Sequence, residues 1–180
     1  MNRIDRTVLR VCASAAVLVG SLAWPAAGWS RARECPTRDQ IAGLFDRWNA
    51  KLVESGRQQD PSYVVSTYAT DAILLPTCTT SGPLFNRDNG IKEYFKAFIK
   101  KHPVGKIDER ARNITIDKPG CNIAFDIGLY TFEMDGEKPP ERVELQARYT
   151  FVYRKIEGKW QIAHQHSSVR RQSDAACLPK

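Results

Sequence analysis

Apolar residues recur at helical spacing over Ile41, Leu44, Phe45, Trp48 and Leu52. Thr37 or Asp39 can cap this helix, which is expected to reach about Ser55 and to end at Gly56. A short second helix is expected over 62–68, followed by a strand over 72–76. Leu84 and Phe85 can return as its partner after the Ser81-Gly82-Pro83 turn. Asn89 is placed to cap a third helix over 90–101, with Ile91, Tyr94, Phe95 and Phe98 as its buried stripe and Pro103 closing it. Strand patterning then takes over, at 111–117, 121–134, 142–155 and 159–169. Lys118-Pro119-Gly120 turns the chain, 135–140 is a polar loop, and Glu157-Gly158 is a tight hairpin signal. Helices come first and a meandering antiparallel sheet follows, so the expected class is α+β rather than a parallel doubly wound fold.

The amino-terminal stretch has a different character. Arg3, Arg6 and Arg10 precede an apolar run over 11–25, and Ala26-Ala27-Gly28 has the small residues of a cleavage site. The run is shorter than the roughly 20 residues that span a bilayer. The expectation is a cleaved signal peptide over 1–28, a short segment over 29–38, one domain over 39–169, and a tail over 170–180. The mature protein is then periplasmic or secreted, with no membrane attachment.

The chain has 180 residues with 27 basic and 20 acidic side chains. Removal of Arg3, Arg6, Arg10 and Asp5 with the signal leaves 24 and 19, a net charge of +5. Lys100-Lys101, Arg110, Arg112 and Arg170-Arg171 are scattered and lack the aromatic interleaving of a nucleic-acid groove, so they read as a solvated surface. No nucleic-acid partner is expected. Four cysteines survive processing: Cys35, Cys78, Cys121 and Cys177. An even count in an exported chain favours disulfides, and the wide spacing excludes a zinc ribbon or a C-x-x-C redox motif. Three pairings are possible. Cys35 and Cys177 bracket the fold, so the expectation is Cys35–Cys177 with Cys78–Cys121.

Candidate chemistry lies on the strands. Alternation places His164 and His166 on one face with Trp160 and Ile162. An H-x-H pair can chelate a metal, wall a pocket or pack as ordinary strand residues. No H-E-x-x-H or further His/Cys cluster accompanies it, so no metal and no cofactor are expected. The 121–134 strand has one face of small and polar groups, Ala124, Asp126, Gly128 and Tyr130, where the small residues could leave a cavity. Its other face, Ile123, Phe125, Ile127 and Leu129, is apolar. Asp126 within an apolar strand must be paired, hydrogen-bonded or protonated. Two readings follow. It can form an acid/base pair with His164 or His166, or an ion pair that fixes strand register. Arg148 is either a pocket cation or part of a solvent face with Glu144, Gln146, Thr150 and Arg154.

The element order resembles the nuclear transport factor 2-like superfamily, with its cystatin-like cone in which a strongly curved sheet wraps around the first helix. Five blocks narrow the resemblance: Y-A-T-D-A-I-L-L-P-T (68–77), H-P-V-G-K-I (102–107), D-I-G-L-Y-T-F (126–132), A-R-Y-T-F-V-Y-R (147–154) and G-K-W-Q-I-A-H-Q-H-S-S (158–168). These are similar to the SgcJ/EcaC family, relatives of the calcium/calmodulin-dependent protein kinase II association domain. That resemblance implies homo-oligomerisation and a central pocket, which in the kinase relatives is lined by arginines and accepts small carboxylates. Arg148 matches one of those arginines. Gly128 and Ser167 stand where two others would be, so an inherited site would be rebuilt from Tyr130, His164 and His166. The expected function is a small-ligand-binding or self-assembling module for an anionic or polar organic molecule. The alternative is a cofactor-independent isomerase, dehydratase or hydrolase using Asp126 and His164.

Overall fold

A computed structural model describes residues 35–170 except 78, 80, 81, 119 and 139. The expected signal peptide, most of the 29–38 segment and the tail beyond Arg170 lie outside the described residues. So do Cys78 and Cys177.

Helix α1 spans Arg38–Gln58 and opens on a capping box. The Gln40 amide donates to Thr37 Oγ1 at 3.2 Å, and the Thr37 amide donates to Gln40 Oε1 at 2.9 Å. Ile41, Leu44, Phe45, Trp48 and Leu52 are buried, as their spacing predicts. The helix does not stop at Gly56. It runs one further turn, until Gln59 adopts a left-handed conformation with φ 54°. Gly56 instead lies buried against the backbone of Ile99 and His102. Helix α2, Ser62–Val65, is a single turn, because Tyr68 already belongs to the next strand.

Strand β1 is Tyr68–Leu75 and β2 is Leu84–Phe85. A π-helical turn, Asn86–Ile91, leads into α3, Lys92–Phe98, which tightens into a 3-10 turn over Ile99–Lys101. Strand β3, Val104–Ile107, was not expected: four residues that include a glycine carry too little alternation to register. Then follow β4, Asn113–Ile116, β5, Ile123–Asp135, β6, Arg142–Ile156, and β7, Lys159–Val169. The β6–β7 hairpin turns on Glu157 and Gly158, with φ 49° and 80°, the paired left-handed residues a two-residue turn requires.

The sheet order is β2-β1-β7-β6-β5-β3, with β4 also on β5. It is mixed, not purely antiparallel, because β1 runs parallel to β7, with Leu74 opposite Gln165. Helix α1 packs into the inner face of this curved sheet. Trp48 sits 5.3 Å from Phe151 and 6.2 Å from Phe132, edge to face in both cases. This helix-plus-curved-sheet architecture is the expected α+β class.

Among the described residues one disulfide is seen, Cys35–Cys121, which ties the start of α1 to the approach of β5. It overturns the expected pairings Cys35–Cys177 and Cys78–Cys121. Both of its cysteines flank elements that touch: Arg112, just before β4, reaches the Ala42 carbonyl of α1, and β4 is the hairpin partner of β5. Among the described residues no helix is long and apolar enough to cross a membrane.

Candidate functional site

Strand β7 changes face part-way along. Tyr153 of β6 pairs with Ile162, yet the next residue of β6, Val152, pairs with His164, so Ala163 is a one-residue bulge. Before the bulge, Ile162 points inward and is buried. After it, Gln165 and Ser167 point inward and are buried, while His164 and His166 are carried to the outer face. The expected common face for Trp160, Ile162, His164 and His166 therefore does not exist. The bulge exchanges an imidazole pair for an amide and a hydroxyl on the inner face.

Those two groups reach the interior cavity, of about 430 Å³, between α3, the end of β1 and the β5–β6 strands. Its walls are aromatic and aliphatic: Trp48, Leu74, Phe98, Phe132, Met134 and Leu145. Tyr130, Thr77, Gln165 and Ser167 add a polar strip. The Tyr130 hydroxyl donates to Ser167 Oγ at 2.5 Å, and Ser167 also bonds Thr77 Oγ1. Trp48 Nε1 donates to the Tyr68 hydroxyl at 3.1 Å, and that hydroxyl donates to Gln165 Oε1. Burial pushes the Tyr130 phenol well above its usual range, against the lowering effect of its hydrogen bond with Ser167. Tyr130 is therefore a neutral donor at physiological pH. Lys101 and Glu144 also line the cavity and are exposed.

Asp126 is fully buried, but not beside a histidine. Its carboxylate takes a two-point grip from Arg112, Nε to Oδ1 at 3.0 Å and Nη2 to Oδ2 at 2.7 Å. The Tyr149 hydroxyl donates to Oδ1 at 2.9 Å. Arg112 further donates to Glu109 at 2.8 Å and to the Ala42 carbonyl of α1 at 3.1 Å. Burial works against the charged guanidinium, but the bonds and charge of Asp126 more than offset it and hold Arg112 above its ordinary value. The Tyr149 phenol is raised by burial and then by the Asp126 charge. Arg112, expected on a solvated surface, is thus the buried counter-ion. Gly128 makes room for it: a β-carbon there would lie 2.8 Å from the Ala111 carbonyl and 3.1 Å from the Tyr149 hydroxyl. Ala111, Arg112 and Tyr149 occupy the space that the small residues of this strand leave.

Arg148 lies on the outer face, exposed, and donates to the Val169 carbonyl at 3.2 Å. A shallow depression of about 320 Å³ there also includes His166 and Ile127. Cross-strand register lines up Phe85, Ile73, His164, Val152 and Phe125 in one outer row. Leu75, His166, Thr150 and Ile127 form the row beside it. Phe85 is 56% exposed, Ile127 46% and Phe125 37%. Burial, and then the neighbouring His166, lower the His164 imidazole. The candidate residues are therefore divided: Tyr130 and Asp126 face inward, Arg148, His164 and His166 outward. Among the described residues no group of three His, Cys, Asp or Glu side chains could hold a metal ion.

The chain matches the family model of the calcium/calmodulin-dependent protein kinase II association domain over residues 37–171, and it belongs to that family. A solved structure named for the same domain, from Xanthomonas campestris, is similar at 36% identity with a TM-score of 0.67. The alignment covers 77% of this chain and 91% of that one. A nuclear transport factor 2-like superfamily protein from Salmonella enterica serovar Typhimurium shares the fold at 15% identity, TM-score 0.61, over 78% and 96% of the two chains. A nuclear transport factor 2-like protein with a cystatin-like fold from Novosphingobium aromaticivorans does so at 12% identity, TM-score 0.58, over 77% and 85%. Among proteins with curated descriptions, none is similar in sequence.

Proposed function

We propose that this protein is an exported module that self-associates through the outer face of its sheet and holds a small polar organic molecule in its interior cavity. The outer face carries the reading. Two adjacent rows, six of whose nine side chains are apolar, cross the sheet with Phe85, Phe125 and Ile127 uncovered, and an exposed apolar patch of this kind marks an association surface. Membership of a family named for association supports self-association. Arg148, His164 and His166 then lie at or beside the contact between copies, not inside a catalytic pocket. Within the family, the H-Q-H-S-S ending and the Y-A-T-D-A-I-L-L-P-T block favour the SgcJ/EcaC branch.

The cavity supplies the ligand half of the reading. Its neutral strip of hydroxyls and the Gln165 amide suit a neutral or weakly charged polar group, held against aromatic walls. Export is supported by the signal-like 1–28 segment and by the Cys35–Cys121 disulfide, which fits an oxidising compartment. A thermal-shift screen of small hydroxylated and carboxylated molecules tests the cavity. A ligand that raises the melting temperature of wild type is expected to lose most of that effect with Tyr130→Phe or Ser167→Ala. An undiminished shift in both variants would remove the cavity from the proposal.

A further inference from the structure

A cleft of about 760 Å³, larger than the interior cavity, lies between α1 and the β6–β7 hairpin. Arg47 and Lys51 stand one turn apart on its helical wall, and Lys155 and Lys159 flank the hairpin turn on the other. Among the described residues no carboxylate lines it, and none of its four cations takes part in an ion pair. Unneutralised like charges around one concavity repel each other, so the cleft gains from an anion of matching valence.

Two further features say what kind of anion. Trp160 lines the hairpin wall with Lys155 over its ring, 6.0 Å from the centroid, so a flat apolar body meets an aromatic surface framed by charge. Tyr153, which also lines the cleft, is 1% exposed. Its hydroxyl is the buried side-chain polar atom among the described residues that has no hydrogen-bond partner. Buried polar groups are nearly always paired, and an unpaired one costs stability unless something else completes it. We propose that this cleft is a second binding site, separate from the interior cavity, for a small organic molecule bearing two or more anionic groups on a flat apolar body.

Naphthalene disulfonate is a suitable probe, read by tryptophan fluorescence and by calorimetry on the mature disulfide-bonded protein. It is expected to bind in low salt and to weaken as salt rises, as a charge-driven contact does. Arg47→Ala with Lys159→Ala, both at exposed positions, is expected to weaken binding by about tenfold or more. Tyr153→Phe is expected to weaken binding severalfold while leaving the free protein's melting temperature equal or higher, since it deletes an unpaired buried hydroxyl. Ser167→Ala, in the interior cavity, is expected to leave this binding unchanged. Pyrophosphate, which has the charge without the ring, is expected to bind more weakly. No binding of the disulfonate, or binding indifferent to the double charge removal, would overturn the site. Loss of binding on Ser167→Ala would move the ligand to the interior cavity, and equal binding of pyrophosphate would overturn the flat apolar body.

Discussion

A single side chain inside this fold sets more than its own environment. Asp126 ties β5 to the residue before β4 through Arg112, to β6 through Tyr149 and, by way of Arg112, to α1. Removing one partner strands a buried charge, so Arg112→Ala is expected to lower unfolding free energy by about 3–5 kcal/mol. Urea denaturation of the two proteins measures it, and a loss within ordinary surface-substitution range would contradict the network. Gly128→Ala places a β-carbon against backbone and is expected to destabilise too, by ~1–3 kcal/mol, as overpacking does. That a charge on this strand needed a partner was legible from Asp126 alone. That the partner was Arg112 was not, because nothing in R-A-R-N-I distinguishes a guanidinium folding back over a glycine from one in solvent.

His164 is a residue whose charge state the fold alters. Its imidazole is lowered by burial and then by His166, so the unfolded chain takes up the proton first. Its contribution to stability is therefore full above the ordinary imidazole value of about 6.5 and declines as pH falls below it. The slope of melting temperature against pH in that acidic window is expected to flatten in His164→Asn. An unchanged slope would show that His164 is not the group responsible.

At the level of elements, most of the architecture was written in periodicity. Strand β7 matches its expected span, β6 falls within one residue and β5 within two, and the Glu157-Gly158 turn follows from its residue types. Strand β3 was not, and neither were three further features. Helix α1 runs through Gly56 because a glycine facing a neighbouring backbone is tolerated within a helix. The parallel pairing of β1 with β7 depends on contacts far apart in the chain. The Ala163 bulge is invisible in W-Q-I-A-H-Q-H because polar and apolar residues alternate plausibly in either phase, and a one-residue slip exchanges the faces. The disulfide also belongs to this scale, clamping α1 to β5 across 86 residues. Cys35→Ala with Cys121→Ala is expected to lower stability by about 2–4 kcal/mol in oxidising buffer and to make little difference once wild type is reduced. A matching loss under both conditions would place the effect in packing instead.

For the molecule as a whole, the curved sheet divides its chemistry between an inner and an outer face. Helix α1 and the aromatic core fill the inner face except at the cavity floored by Tyr130 and Ser167. The outer face carries Phe125, Ile127, His164, His166 and Arg148, where a second copy of the chain can cover them. The resemblance grouped Tyr130, Arg148 and the histidines as one site; without the bulge the histidines would share the inner face with Tyr130, but Arg148, paired with Leu129, would still face outward. The proposed association surface was legible only in part, as the apolar stripe Ile123, Phe125, Ile127 and Leu129, whose exposure depends on which side α1 occupies. Sedimentation velocity of wild type and Ile127→Glu, over a range of concentrations, tests association through this face. Wild type is expected to sediment as a dimer or larger assembly, and the variant as a monomer with an unchanged near-ultraviolet circular dichroism spectrum. A wild type that stays monomeric throughout, or a variant that assembles as wild type does, would contradict it.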